Sequence, residues 1–186
     1  MKKLRGLIAA VLVFATALSA TGCTGIKYIE NEDIFIDALD SAAGISKKEI
    51  RIREKRTTYN GQDAEYLIFA EDGDNNYLYV RYEDEDDAMD AFEDFYEDFE
   101  EVLGDKDFDG SNVRSISKTK GSVVINGDFE DGIELSGFAK FMDDTEFYGG
   151  VYVNKNVLIK VYSLDGSKRD KEKITNFLKE IGLPKP

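Results

Sequence analysis

Residues 65–99 and 147–181 repeat one pattern: an alternating run, a short turn, a second alternating run, then an apolar stripe at helical spacing. Alternate side chains of a strand point to opposite faces, so the runs at 64–70 and 77–82 read as two strands. The polar sequence Asp72-Gly73-Asp74-Asn75-Asn76 between them reads as a hairpin turn. A helix over 84–103 follows, with Ala88, Phe92, Phe95, Phe99 and Leu103 on one stripe, Tyr96 beside Phe95, and Gly104 at its end. In the second copy the strands are 147–153 and 157–163. The helix there is 168–181, buried through Ile174, Phe177, Leu178 and Ile181 and stopped by Gly182 and Pro184. Hairpins each followed by a helix build an antiparallel sheet with helices laid on it, which is an α+β architecture.

The rest of the chain fits around this repeat. A helix over 31–43 carries Ile34, Phe35, Ala38, Leu39 and Ala42 toward the core, with acids in its first turn and Gly44 at its close. Ile50-Arg51-Ile52-Arg53 alternates as a half-buried strand, with Ile50 and Ile52 inward, and Asn60-Gly61 is a turn signal. Segments 122–126 and 133–142 read as strands, while Asn126-Gly127-Asp128 and Asp131-Gly132 read as hairpin punctuation. The expected order is α-βββ-α-ββββ-α, a two-layer α+β domain over 31–186 with its helices on one face of the sheet and the other face open to water. Its predicted core holds Phe35, Leu39, Phe92, Phe95, Phe99, Phe177, Leu178 and Ile181.

The first two dozen residues have another character. Lys2, Lys3 and Arg5 precede an uncharged, mostly apolar run over 7–20, the form of a secretory signal with an h-region of roughly 7–15 residues. The run is short of the ~20 residues that a spanning helix needs. It ends in Leu18-Ser19-Ala20-Thr21-Gly22-Cys23, which resembles the cleavage box of bacterial lipoprotein precursors: small residues, Gly, then the cysteine that takes the lipid. Ala20 stands where that box usually has Leu, and Gly22 is the strong part of the match. The resemblance implies that 1–22 is a signal peptide removed on export. Cys23 then becomes an acylated N-terminus, 23–30 forms a short tether, and the domain is extracytoplasmic and held to the cell membrane. The alternative is plain secretion with cleavage near Ala20 and Cys23 left as a single thiol. The mature part resembles, in layout alone, small uncharacterised bacterial lipoproteins.

Composition narrows the chemistry. Losing 1–22 removes three of 24 bases and none of 38 acids, so the net charge falls from −14 to −17. Nucleic acid needs a basic footprint and is excluded as a partner. The chain contains no His, so no Ser-His or Cys-His pair exists to activate a nucleophile. With no His and one Cys, a zinc site of the ordinary ligand set is excluded too. Carboxylate, Lys and Tyr remain for acid–base work. These absences favour a non-catalytic binding or accessory protein of the cell envelope. The rival is a carboxylate-dependent, glycan-directed hydrolase, which needs two carboxyls about 5–10 Å apart.

Four features stand out as candidate surfaces or sites. The stretch 83–101 has no Lys or Arg, and its acids crowd one side of the expected helix. They form either a solvated face or a surface for a cationic protein. Lys47, Lys48, Arg51, Arg53, Lys55 and Arg56 gather positive charge around the first strand, either as internal balance or as a patch for an anionic envelope polymer. Asp105-Lys106-Asp107-Phe108-Asp109-Gly110 has the first half of a calcium loop, with Asp105, Asp107 and Asp109 as alternate oxygen ligands and Gly110 for the sharp turn. Its twelfth position is Ile116 where a Glu is required, so it suits at most weak Ca²⁺ binding and a calcium-dependent module. Tyr77, Tyr79, Tyr82, Tyr148, Tyr152 and Tyr162 would make an aromatic platform if they shared an open sheet face.

Overall fold

The computed structural model describes residues 25–54, 57–104, 108–129 and 145–186. Among the described residues three helices accompany one open antiparallel sheet of eight strands. In chain order the elements are α1 (Glu32–Ala38), β1 (Arg51–Arg53), β2 (Thr57–Tyr59), β3 (Gln62–Asp72), β4 (Asn75–Tyr82), α2 (Glu85–Val102), β5 (Phe108–Ser117), β6 (Lys120–Phe129), β7 (Thr145–Asn154), β8 (Val157–Ser163) and α3 (Lys168–Ile181). The sheet runs β1-β3-β4-β8-β7-β6-β5, with β2 also on β3. The two hairpins therefore meet at their last strands, and Tyr77, Tyr79 and Arg81 of β4 stand opposite Val161, Ile159 and Val157 of β8.

Helix-on-sheet packing is present on both faces, so the expected wet face does not exist over the central strands. Tyr77 and Tyr79 of β4 and Ile159 and Val161 of β8 pack with Phe35 and Leu39 of the first helical segment and Phe177 and Leu178 of α3. The intervening Leu78, Val80, Leu158 and Tyr162 pack with Phe92, Phe95 and Phe99 of α2. A two-fold axis normal to the sheet that exchanged the hairpins would leave both following helices on one face. They leave to opposite faces, so the ββα repeat is one of element order. Every residue of β8 is buried as a result. All eight residues of the predicted core are at most 1 % exposed.

Local chemistry sets the helix ends. Asp84 caps α2, its side chain accepting the Asp87 N–H at 2.9 Å, and Glu85, Asp86 and Asp87 place negative charge at the positive end of the helix dipole. Ser167 caps α3, and Gly182, at φ 78°, lets Leu183 N–H return to the Leu178 carbonyl at 2.8 Å. From Leu39 to Ala43 the first helix widens into a π-turn. The extra residue per turn shifts the stripe after Leu39 and buries Ala43; upstream, in the regular turns, Phe35, Ile36 and Ala38 are buried and Ile34, expected inward, is 37 % exposed. Asn60 and Gly61, both at positive φ, make the two-residue turn between β2 and β3.

Several expectations need correction. β2 and β5 were not expected as strands. Asn126-Gly127-Asp128 lies within β6, paired on both sides to Ser111-Gly110-Asp109 and to Tyr148-Phe147-Glu146, and is no turn. The expected strand 133–142 and the Asp131-Gly132 turn lie outside the described residues. Ile52 is 42 % exposed, because β1 is a short edge strand whose opposite partner is Ile68. The described part of the expected tether, 25–30, is largely packed. Ile26 and Ile29 are buried, Asn154 Nδ2 donates to the Ile26 carbonyl at 2.8 Å, and the Tyr79 hydroxyl donates to the Ile29 carbonyl at 3.1 Å.

Phe99 tests this packing. It lies 6.0 Å, centroid to centroid and edge-on, from Phe147 of β7. Phe99→Ala removes that contact and leaves a void under α2, and denaturant unfolding should report a loss of about 3–5 kcal/mol. An unchanged midpoint would remove Phe99 from the core.

Candidate functional site

On the α2 side of the sheet, beyond the part that the helix covers, β3, β4 and β8 leave a pocket of about 210 Å³. Tyr59, Phe69, Glu71, Asn76, Leu78, Lys160 and Tyr162 line it. Strand pairing explains the set. Phe69 stands opposite Leu78, Leu78 opposite Lys160, Glu71 opposite Asn76, and Asn76 opposite Tyr162, so all six project to one face. Tyr59 arrives from β2 across the Asn60-Gly61 turn. Asn60 holds that turn against α2 by donating through Nδ2 to the Ala91 carbonyl at 3.2 Å and to Asp94 Oδ2 at 3.0 Å.

Lys160 is the unusual member. It is 4 % exposed in a strand that is otherwise apolar, and its Nζ lies 4.9 Å from the Phe95 ring centroid and 5.6 Å from that of Tyr59. Aromatic faces stabilise an ammonium in part. Burial disfavours the charged form more, and pushes the Lys160 amine down to about 7. The Tyr162 hydroxyl is pushed up, first by burial and then by the Glu71 carboxylate. Thus the pocket combines aromatic and aliphatic walls, one amine that titrates near neutrality and one exposed carboxylate on its rim.

The basic strand adjoins this site. Arg51 stands opposite Phe69 and Arg53 opposite Leu67, so both arginines lie on the pocket face, one strand farther out. The Arg51 guanidinium sits 5.7 Å from the Phe69 ring centroid, on a ring that also walls the pocket. Lys55 and Arg56 lie outside the described residues, and Lys47 approaches Asp37 at 3.9 Å between exposed side chains.

The other candidates are dispersed. Cys23, Asp105 and Asp107 lie outside the described residues. Asp109 and Gly110 belong to β5, in register with Asp128 and Gly127, and Gly110 has no positive φ. The residue expected to make a sharp turn is therefore part of a paired strand. There a Cβ would meet the Asn126 carbonyl oxygen at 2.5 Å. Among the described residues no group of three or more acidic or Cys side chains is arranged to hold a metal ion. The six tyrosines do not share a face. Tyr77, Tyr79 and Tyr152 pack on the α1/α3 side with Tyr148 half-buried there, whereas Tyr82 and Tyr162 face α2.

The acidic side of α2 borders an open groove of about 670 Å³, lined by Asp86, Met89, Asp90, Glu93, Ile116, Ser117 and Lys118. Charge crowding is visible at Asp87, whose carboxyl is held above its ordinary range by partial desolvation and then by Asp84, Asp63, Asp90 and Glu83. The chain matches no protein-family model, no curated protein and no solved structure. The site is therefore read from its own residues.

Lys160 escaped the sequence reading, although a signal was present. Residues 157–163 are apolar in both alternation phases, which is the mark of a strand covered on two sides, so a lysine inside it has no wet face to occupy. Its proton leaves near pH 7 in the folded chain and near 10.4 in an unfolded one. Between those values the unfolded state holds more protons, so this group's contribution makes stability rise with pH. Lys160→Met should remove that rise, as read by melting temperature from pH 7 to 10. A variant that melts lower with an unchanged slope would show that the buried amine is not the source.

Proposed function

We propose that the chain is a lipid-anchored, non-catalytic binding protein of the bacterial cell envelope, exported through its N-terminal leader, acylated at Cys23, and using the pocket between β3, β4 and β8 as its ligand site. The observation that carries the binding reading is the pocket itself: an apolar cleft with a few polar groups converging on it is the usual form of a small-molecule site. Among the described residues its lining contains one carboxylate, Glu71, where glycoside hydrolysis needs a pair, and this favours binding over the hydrolase alternative.

The relative placement of anchor and pocket supports the reading. The described chain enters at the β7–β8 turn, where Ile26 meets Asn154 and the Tyr28 hydroxyl donates to Asn156 Oδ1 at 2.9 Å. The pocket lies toward the other end of the same strands, at Tyr162 and Asn76. Two residues lie between Cys23 and Ile26, and the three Cα steps reach about 10 Å when extended. A lipid on Cys23 thus holds the body close to the bilayer with the pocket directed away from it, toward a ligand arriving from the aqueous side. The acidic groove along α2 is a second surface, suited to a cationic protein partner.

Thioether acylation needs the Cys23 sulfur, and two acyl chains give near-permanent anchoring at about 0.8 kcal/mol per buried CH₂. Cys23→Ser should move the protein from the membrane fraction to the soluble extracytoplasmic fraction and abolish palmitate labelling. A serine variant that stayed with membranes after losing its leader would overturn the anchor.

A further inference from the structure

The two edges of the sheet are unlike, and their differences are complementary. Among the described residues nothing pairs with the outer side of β1 or of β5. Three of the four large apolar side chains left exposed lie on these two strands: Ile52 at 42 %, Val113 at 55 % and Ile116 at 41 %. β5 pairs with β6 over ten unbroken residue pairs and carries no Pro, Lys or bulge, the usual guards of an open edge. β1 bears exposed Arg51 and Arg53 on the α2 side of the sheet, with exposed Lys47 and Lys48 before it and Glu49 and Glu54 beside them. At the other edge the α2 side is negative, because Asp86, Asp90 and Glu93 line the groove against Ile116. Lys118 in the groove and Arg114 on the same face oppose these acids, against a helix that holds ten acids and no base over 85–102.

We infer that copies of this chain join head to tail, the β1 edge of one against the β5 edge of the next, so that the sheet continues from copy to copy. Six antiparallel steps separate β1 from β5, so both strands run the same way and copies in one orientation meet as a parallel pair. One rung of paired residues crosses the sheet from Arg53 through Val80 and Leu158 to Ile116, all on the α2 side. Extending that rung sets Arg53 of one copy beside Ile116 of the next, in the groove of Asp86, Asp90 and Glu93. The other side of the sheet matches as well. Ile52 stands opposite Ile68 and Val113 opposite Val124, so both exposed apolar side chains lie on the α1/α3 side. Like edges repel instead: two β1 edges bring arginines together, and two β5 edges bring acidic helices together. A contact between unlike edges does not close on itself and generates an open row of copies. Because β1 is three residues long, each contact is weak and weakens further as salt screens it. The inference rests on the sheet edges alone and stands apart from the pocket and the anchor.

The test is cross-linking of the full chain in mild detergent at low salt, with Cys23→Ser so that the only thiols are two introduced ones, Ile52→Cys and Val113→Cys. Within one copy these stand at opposite edges, six strand spacings of about 4.8 Å apart, beyond the reach of a short bis-maleimide. The linker should give a ladder of dimer, trimer and longer species, and either cysteine alone should give severalfold less product. Arg53→Glu should cut the ladder severalfold, and so should Asp90→Lys combined with Glu93→Lys, all at exposed positions where folding is not at stake. Mixing the two charge-reversed chains should restore it, since the acidic β1 edge of one then meets the basic groove of the other. Dimers from a single-cysteine chain as abundant as the ladder show like edges meeting and overturn the inference. It is equally overturned by a double-cysteine chain that stays monomeric, by a ladder that the charge reversals leave unchanged, or by a mixture that fails to recover.

Discussion

Two-sided burial of the β4–β8 pair is the constraint on which the rest of this molecule depends. A sheet with one wet face can place polar side chains at every second position. Here Tyr77 and Tyr79 are covered by α3 and the first helical segment, and Leu78 and Val80 by α2, so charge on β4 is confined to Arg81 near the strand end, where it pairs with Glu32. Lys160 is the exception on β8, and it is the side chain whose proton affinity burial shifts furthest toward neutrality among the described lysines. One architectural decision, a helix on each face, both covers the sheet and buries the Lys160 amine.

That decision also accounts for the charge distribution. With the sheet enclosed, solvation on the α2 side falls largely to the outer surface of α2, which explains why 85–102 holds ten acids and no base beside its buried stripe. Repulsion between like charges at i,i+4 costs a few tenths of a kcal/mol per pair. Burial of Phe92, Phe95 and Phe99 contributes about 1.5–3 kcal/mol each and outweighs it. The acidic face therefore needs no ligand to account for its presence. The pocket is different, because it sets the Lys160 amine among aromatic and aliphatic side chains.

Element identity was legible where periodicity is strong and burial is one-sided. The stripe Phe92, Phe95, Phe99 marks α2 to within a residue, and α3 ends as expected because Ser167 and Gly182 carry cap chemistry that acts locally. β5 was missed because an edge strand with a half-covered face has no alternation to show. Its Gly110, Ser111, Asn112 and Ser115 look like a loop, and only pairing with β6 makes them a strand. The side on which each helix packs is not written in either hairpin, since both faces of β4 and β8 are apolar. The pocket depends on that choice. Leu78, Lys160 and Tyr162 meet because long-range pairing sets β4 against β8, a register that neither segment specifies by itself.

The same seam governs the route to the native state. Asn75 pairs with Ser163 across nearly half of the chain, whereas β3–β4 and β7–β8 each close through a tight local turn. Local hairpins form within microseconds, and a contact between distant segments waits for the entropy of a large loop to be met. Until β4 finds β8, each half presents an unpaired strand edge flanked by exposed Tyr, Leu and Val side chains. Such edges pair readily with other chains. A dense negative charge on the helix that follows the first hairpin keeps those half-formed chains apart during that interval, so the acids of α2 act before the fold is complete as well as after it.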